Sequence, residues 1–245
     1  MRALRYPRRL AGSSGSGGID FILYGRPENE RLPRRMIIDA ICRTTDVAEV
    51  LRRELELLVD ADRSGQEYAW LWETRAPAVV LGRAGRVEAE VLGAACAEDG
   101  VPVLRRHSGG GAVVLGPGCV NYTLIFNLDE RPELYDVAGS YGRILPRVLR
   151  AVGVAGCEVA GGDLARGGRK FGGCSQRRSR RSVLHHGTLL SEFDLELVGR
   201  YLAEPVRQPE YRRGRRHGEF LTNVGLDGGF GERFLAEFAG ARGME

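Results

Sequence analysis

Lysine is almost absent from this chain. Of the 36 Lys and Arg residues among 245, Lys170 alone is lysine. A GC-rich codon bias accounts for the arginines and for the abundant Gly, Ala and Val, but not for the exception. A guanidinium is a planar fork whereas an ammonium is compact on a flexible stem, so a lysine kept among arginines marks a position that arginine cannot fill. Also absent is any apolar run near the ~18 residues of a membrane helix, or an apolar segment after the basic start, which leaves the cytoplasm as the expected compartment. The five cysteines (Cys42, Cys96, Cys119, Cys157, Cys174) form no CxxC. Odd in number and widely spaced, they read as reduced thiols, without a zinc site or structural metal. There is no GxxxxGK[ST], no glycine fingerprint opening a helix and no GxSxG, which argues against P-loop, Rossmann and serine-hydrolase readings.

What is present suits a globular domain, with 43% hydrophobic residues to build a core. Met1–Arg35 reads as a flexible extension: its first 19 residues hold arginines and no acid, and include GSSGSGG. An upstream start codon or a disordered tail explains it, with a transit peptide as the alternative. From 36 to 245 the chain reads as one globular domain. Met36 to Ala61 suits one or two amphipathic helices, with Asp46 as a candidate N-cap. EYAWLWE and PAVVLG (67–73 and 77–82) read as consecutive strands around a turn, and Val87 to Asp99 as a helix. Further strands are expected at Val101–Leu104, Ala112–Leu115, Val120–Phe126, Val154–Ala160, Lys170–Gln176 and Val183–Leu190, with helices over Tyr135–Val152 and Phe193–Leu202. Strands in hairpin-like groups with helices between them predict an α+β fold with a mixed, mainly antiparallel sheet.

Three stretches carry chemistry. In VLRRHSGGGAVVLGPG the glycines Gly109, Gly110 and Gly111 can take φ > 0 and let a ligand approach the backbone N–H groups. Arg105 and Arg106 add planar donor forks suited to phosphate or carboxylate. The alternative is a glycine hairpin with solvated arginines. GGDLARGGRKFGGCSQ sets Lys170 at the start of a strand between glycine pairs, with Asp163 upstream. In LHHGTLL, His185 and His186 point to opposite faces of a strand, so at most one faces a pocket and the two cannot share a metal.

Together, RRHSGGGAVVLGPG, GDLARGGRKFGGCSQRR and HHGTLL, in that order and spacing, resemble the catalytic domain of the lipoate-protein ligase A, octanoyltransferase and biotin-protein ligase superfamily. The lipoate-protein ligase branch is the most similar. The likeness extends upstream through WLWETRAPAVVLGR and downstream to FLTNVG, covering roughly Ala48 to Gly225. It implies a class II synthetase-like biotinyl/lipoyl transferase domain. It also implies that lipoate or octanoate attacks the α-phosphate of ATP to give an acyl-AMP, and that the acyl group passes to a lysine of a carrier. That carrier would be the lipoyl domain of a 2-oxoacid dehydrogenase or the glycine-cleavage H protein, with an accessory subunit as a further candidate partner.

By the same resemblance Lys170 is the catalytic cation, stabilising charge on the phosphate and then on the acyl oxygen. Arg105, Arg106, Ser108, Gly109, Gly110, Gly111, Ala112, Asp163, Gly173, His186, Gly187 and Thr188 would line the acyl and nucleotide site. Mg²⁺ would accompany ATP, held mainly by its phosphates. Three departures stand out. Gly162-Asp163 replaces the family's usual Asn-Asp, and Cys174 stands where many ligases have Ser. The chain ends soon after FLTNVG, whereas many ligases carry a further C-terminal domain. The last departure keeps an octanoyltransferase reading open, with Cys174 as candidate nucleophile. On a regular strand Lys170 and Cys174 would share a face, where the ammonium could lower the thiol pKa. The runs RRSRR (Arg177–Arg181) and RRGRR (Arg212–Arg216) suggest an acidic carrier at the rim; with 32 acids and a net charge of +4, a nucleic-acid surface is disfavoured.

Overall fold

Near-continuous apolar runs at Tyr68–Thr74 and Cys119–Asn127 make two strands that are buried almost throughout, because the sheet they centre is covered on both faces. The computed structural model describes residues 36–44 and 46–239, and the Met1–Arg35 extension lies outside them. In chain order the elements are β1 (Ile37–Thr44), α1 (Val47–Ser64), β2 (Tyr68–Thr74), β3 (Ala78–Leu81), α2 (Val87–Glu90), α3 (Gly93–Glu98), β4 (Val103–Arg105), β5 (Val113–Leu115) and β6 (Cys119–Asn127). They continue with α4 (Val137–Val152), β7 (Cys157–Ala160), β8 (Asp163–Arg166), β9 (Arg169–Arg178), β10 (Ser182–Leu190), α5 (Glu196–Tyr201), α6 (His217–Phe220) and α7 (Phe230–Ala239).

Seven strands form the main sheet in the order β1-β2-β6-β10-β9-β8-β7, and three form a small sheet, β4-β3-β5. Among the described strand pairs, only β1 with β2 and β3 with β4 run parallel. The fold is therefore α+β with a mixed, mainly antiparallel sheet, as the strand grouping predicts. One face of the main sheet packs on α4 and α7. Phe230, Phe234 and Phe238 recur every fourth residue of α7 and bury their rings beside Tyr122 and Phe126, each stabilising the fold by roughly 1.5–3 kcal/mol. The other face carries α1 and the small sheet. Asp46 caps α1 by accepting from the Glu49 N–H at 2.9 Å, and Gly65 ends it in the left-handed conformation.

Several elements depart from the periodicity. Ile37–Thr44 is a strand beside β2, not a helix, because a short run of clustered isoleucines fits either period and pairing with β2 decides. β2 and β3 are not hairpin partners but belong to different sheets. The helix expected from Val87 to Asp99 breaks at Val91, which is extended and bridges Leu202. β4 and β5 flank β3 rather than each other, so the glycine stretch is a crossover and not a hairpin loop. β8 was not expected; the pairs Gly161-Gly162 and Gly167-Gly168, all at φ > 0, are the two-residue turns on either side of it. None of the described helices is long and apolar enough to cross a membrane.

Candidate active site

Because β4 and β5 lie on opposite edges of β3, the chain between them must cross the end of β3, where Gly82 follows. A Cβ on Gly82 would stand 1.9 Å from the Gly110 carbonyl oxygen, and Gly110 itself has φ +87°. Glycine is thus required at both levels of the crossing. Arg106 is buried and holds the crossing from beneath. Its Nη1 donates to Val80 O (3.1 Å), its Nη2 to Gly109 O (2.6 Å) and Gly111 O (2.9 Å), and its Nε to Ser108 Oγ (3.0 Å). Ser175 Oγ also donates to Gly109 O (2.8 Å), and Glu90 accepts from the Ala112 N–H (2.8 Å). The carbonyls are committed to the protein. The exposed N–H groups of Gly109, Gly110 and Gly111 find no acceptor among the described residues, which leaves a cradle of donors for an anion.

Both arginines expected to grip a ligand bond to the protein, Arg106 through its whole guanidinium and Arg105, which stays exposed, through Nη1. Arg105 Nη1 donates to the carbonyls of Gly82 (3.0 Å), Arg83 (3.2 Å) and Gly85 (2.7 Å), fastening the turn after β3. Burial lowers the Arg106 pKa, with Glu54 and Glu90 opposing the shift. A buried guanidinium needs acceptors on most of its donors, and loop carbonyls provide them.

Lys170 sits near the start of β9, where the register slips: Ala165 pairs with Lys170 but Leu164 with Gly172, leaving a β-bulge at Phe171. The ammonium is 2.8 Å from Asp163 Oδ1 and folds over Gly173, where a Cβ would lie 2.9 Å from Nζ. Gly173 and Ser175 share a face, so Lys170 and the serine that holds the glycine loop stand on one side of β9. Asp163 Oδ2 accepts from the Tyr211 hydroxyl at 2.9 Å, and the Tyr211 ring packs on Phe220. The Lys170 carbonyl accepts from the Thr222 N–H (2.9 Å), which explains the place of FLTNVG in the pattern. Tyr211 carried no sequence signal, since it lies in an irregular Pro/Arg-rich stretch.

The bulge also decides the fate of Cys174. It reverses the expected sharing of a face with Lys170 and turns the thiol to the α4 side, where it donates to Gly162 O (3.3 Å). Burial, aided by Asp163, pushes this thiol up to about 12. A nucleophile needs its thiolate, so the environment opposes the role of acyl carrier proposed for Cys174.

β10 sorts its two histidines. His185 is fully buried on the α4 side, 3.0 Å from Gln176 Nε2 and 3.3 Å from the Tyr122 hydroxyl, and burial lowers its pKa to about 3. His186 faces α1. Its Nδ1 is 2.9 Å from both carboxylate oxygens of Glu54, and its Nε2 is 2.6 Å from Ser108 Oγ. Thr123 Oγ1 donates to Glu54 as well (2.7 Å). Glu54 is the polar interruption in the buried stripe Val47, Val50, Leu51, Leu58 of α1, and that interruption was the available clue to its role. Gly187 serves the opposite face, since a Cβ there would lie 2.5 Å from the Tyr122 hydroxyl. Thr188 is half-buried and pairs with Gly173.

The arginine runs divide: Arg180, Arg181, Arg213 and Arg216 are exposed, while others anchor the fold. Arg178 donates to Leu134 O (2.7 Å) and Tyr135 O (3.1 Å), and Arg181 pairs with Asp129 (2.6 Å). Arg212 is buried against Glu204, and Arg212 and Arg215 lie over the Phe220 ring at 4.8 and 5.3 Å. Arg215 also donates to Gly168 O, tying this segment to the β8–β9 turn.

An ammonium and a set of unengaged amides on one side of a sheet suit the binding of a phosphorylated or carboxylate group. The chain belongs to the family of the lipoyl protein ligase A/B catalytic domain, whose sequence model matches residues 46–223. A Schizosaccharomyces pombe protein provisionally named lipoate-protein ligase A is 32% identical over 146 residues, 59% of this chain and 39% of that one. A Mycoplasma pneumoniae protein of the same provisional name is 32% identical over 149 residues, 60% of this chain and 43% of the relative. The matched region thus spans less than half the length of either. Among solved structures, a bi-partite lipoate protein ligase from Thermoplasma acidophilum, described with its E2 lipoyl domain, superposes with a TM-score of 0.68 at 17% identity. It covers 84% of this chain and 83% of that one. A lipoate-protein ligase A bound with ATP gives 0.66 at 17% identity, covering 83% and 82%. The fold is that of these ligases.

Proposed function

We propose that this chain activates lipoate or octanoate with ATP and transfers the acyl group to a lysine of a lipoyl carrier domain. The carboxylate attacks the α-phosphorus, forming the acyl–phosphate bond and releasing pyrophosphate. The carrier amine then attacks the acyl carbon, AMP leaves, and the amine loses a proton. Negative charge grows first on the phosphoryl oxygens and then on the acyl oxygen. Lys170 and the Gly109–Gly111 amides are the fixed donors for it, and Asp163 positions the ammonium.

The observation that carries this reading is the lone lysine. In a chain that otherwise uses arginine, its ammonium stands 2.8 Å from Asp163, over a glycine that leaves it room. Arg106 and Gly187 would support the site from beneath, and Arg105 stays exposed beside it with Nη1 on the turn after β3. Among the described residues no group of three or more His, Cys, Asp or Glu side chains could hold a metal. Mg²⁺ would arrive with the nucleotide phosphates. The E2 lipoyl domain described with the Thermoplasma ligase supports a lipoyl domain as acceptor, with the glycine-cleavage H protein as a second candidate; the bi-partite build of that ligase supports an accessory subunit.

The test is to incubate the purified chain with lipoate, ATP, Mg²⁺ and an apo lipoyl domain and to weigh the domain. A lipoyl adduct that requires ATP is expected. An adduct formed without ATP, from an octanoyl-carrier thioester alone, would overturn the reading in favour of the transferase.

A further inference from the structure

Glu54 is a buried carboxylate on the inward face of a helix, placed there at the expense of an apolar contact. Its surroundings explain it. The carboxylate lies against His186 Nδ1 and receives the Thr123 hydroxyl, while the far ring nitrogen of His186 meets Ser108 at 2.6 Å. The carboxylate accepts from Nδ1–H, and Nε2 lies within hydrogen-bond distance of Ser108 Oγ. The Ser108 oxygen in turn accepts from Arg106 Nε, and the Ser108 carbonyl accepts from the Arg83 N–H (2.8 Å). One chain of polar contacts thus runs from α1 through β10 to the residue immediately before Gly109.

Serine, histidine and glutamate in this order look like a nucleophile with its base, but Ser108 is only 1% exposed and its oxygen is already engaged by a guanidinium. We infer that Glu54 and His186 are positioning residues: they fix the Ser108 hydroxyl from the α1 side and thereby hold the glycine loop with its three N–H groups free of protein acceptors. The glycine loop has no side chains of its own, so its order must come from its flanks. Arg106 and Ser175 hold its carbonyls, and the Glu54–His186 pair holds its N-terminal anchor. What the loop is held ready to receive rests on the proposed acyl activation; how it is held does not.

The test is backbone amide hydrogen exchange at the two bonded N–H groups that report on the loop, Arg83 (to Ser108 O) and Ala112 (to Glu90), in the full chain without substrate. His186→Gln and His186→Asn separate the two ends of the ring, because the Gln amide reaches the place of Nε2 and the shorter Asn amide that of Nδ1. Asn should keep Glu54, lose Ser108 and raise loop exchange about tenfold, the effect of losing one hydrogen bond, with little change in Tm. Gln keeps Ser108 but loses Glu54, and should raise loop exchange by less, about threefold. Ser108→Ala removes the same contact from the other side and should match Asn, which covers the case in which Asn fails to fold. Equal exchange in Gln and Asn, or loop exchange that only follows global Tm, would overturn the inference. So would an acyl ester on Ser108 after incubation with lipoate and ATP, since His186 would then be a base. Absence of ATP-dependent transfer alongside the predicted exchange pattern would count against the proposed activity alone.

Discussion

His185 and His186 are neighbours on one strand, and the two faces they occupy treat polar groups in opposite ways. On the α4–α7 face His185 is sealed among Tyr122, Tyr141 and Gln176, and Cys174 is pushed to its neutral thiol. On the α1 face the polar side chains are linked into a chain that ends at an open loop, and Lys170 stands on the same side of β9. The comparison teaches that the family's motif residues are of two kinds. Gly187 and Cys174 make the sealed face close, whereas Gly82, Ser108, Gly173, Ser175 and His186 shape the space in front of the lysine.

The difference breaks most sharply at Lys170. Lys170→Arg keeps the charge but not the shape, and a guanidinium cannot fold over Gly173. Acyl transfer should fall by about 10²–10³-fold, the scale of one lost transition-state donor, while Tm stays within ~2 °C. Unchanged turnover would end the role of this residue. Two glycine substitutions come next. Gly82→Ala drives a Cβ into Gly110 O and should lower transfer at least about tenfold through displacement of the loop. Gly187→Ala should instead cost about 1–3 kcal/mol of stability by crowding Tyr122, with activity per folded molecule largely retained. Urea titrations and initial rates on both variants check the pair; a swap of the two phenotypes would contradict the assignment of faces.

A smaller effect tests the sealed face by pH. His185 has a pKa of about 3 in the fold, against ~6.5 when unfolded. Between these values the unfolded chain binds one more proton, so this residue's contribution is fully present above pH 6.5 and falls by ~1.4 kcal/mol per unit as pH drops towards 3. The difference in unfolding free energy between wild type and His185→Gln should therefore change by about that amount between pH 6 and pH 5. A pH-independent difference would mean that the ring is solvated. Smallest of all should be Cys174→Ser, which should leave ATP-dependent transfer within about twofold because a small side chain suffices there. Intact mass should show no acyl group on Cys174.

How much of this was legible in the sequence depends on how far apart the partners lie. The strands around the motifs could be read because burial imposes a local period, and Lys170 stood out by its rarity. The bulge at Phe171 left no trace in the pattern, and it alone moves Cys174 away from the lysine. Glu54 lies 132 residues from His186, and Tyr211 lies 48 from Asp163. Such contacts are set by the docking of α1 and of the segment before α6, which no local period encodes. Arginines could be seen but not their direction; Arg106 reads as a ligand fork until its four acceptors are known.

The most direct test of the central claim is exchange of labelled pyrophosphate into ATP by the purified chain, with lipoate or octanoate present or withheld. Acyl activation predicts exchange that needs the acid and disappears with Lys170→Arg. No exchange with either acid, together with acyl transfer from an octanoyl thioester in the absence of ATP, would contradict it.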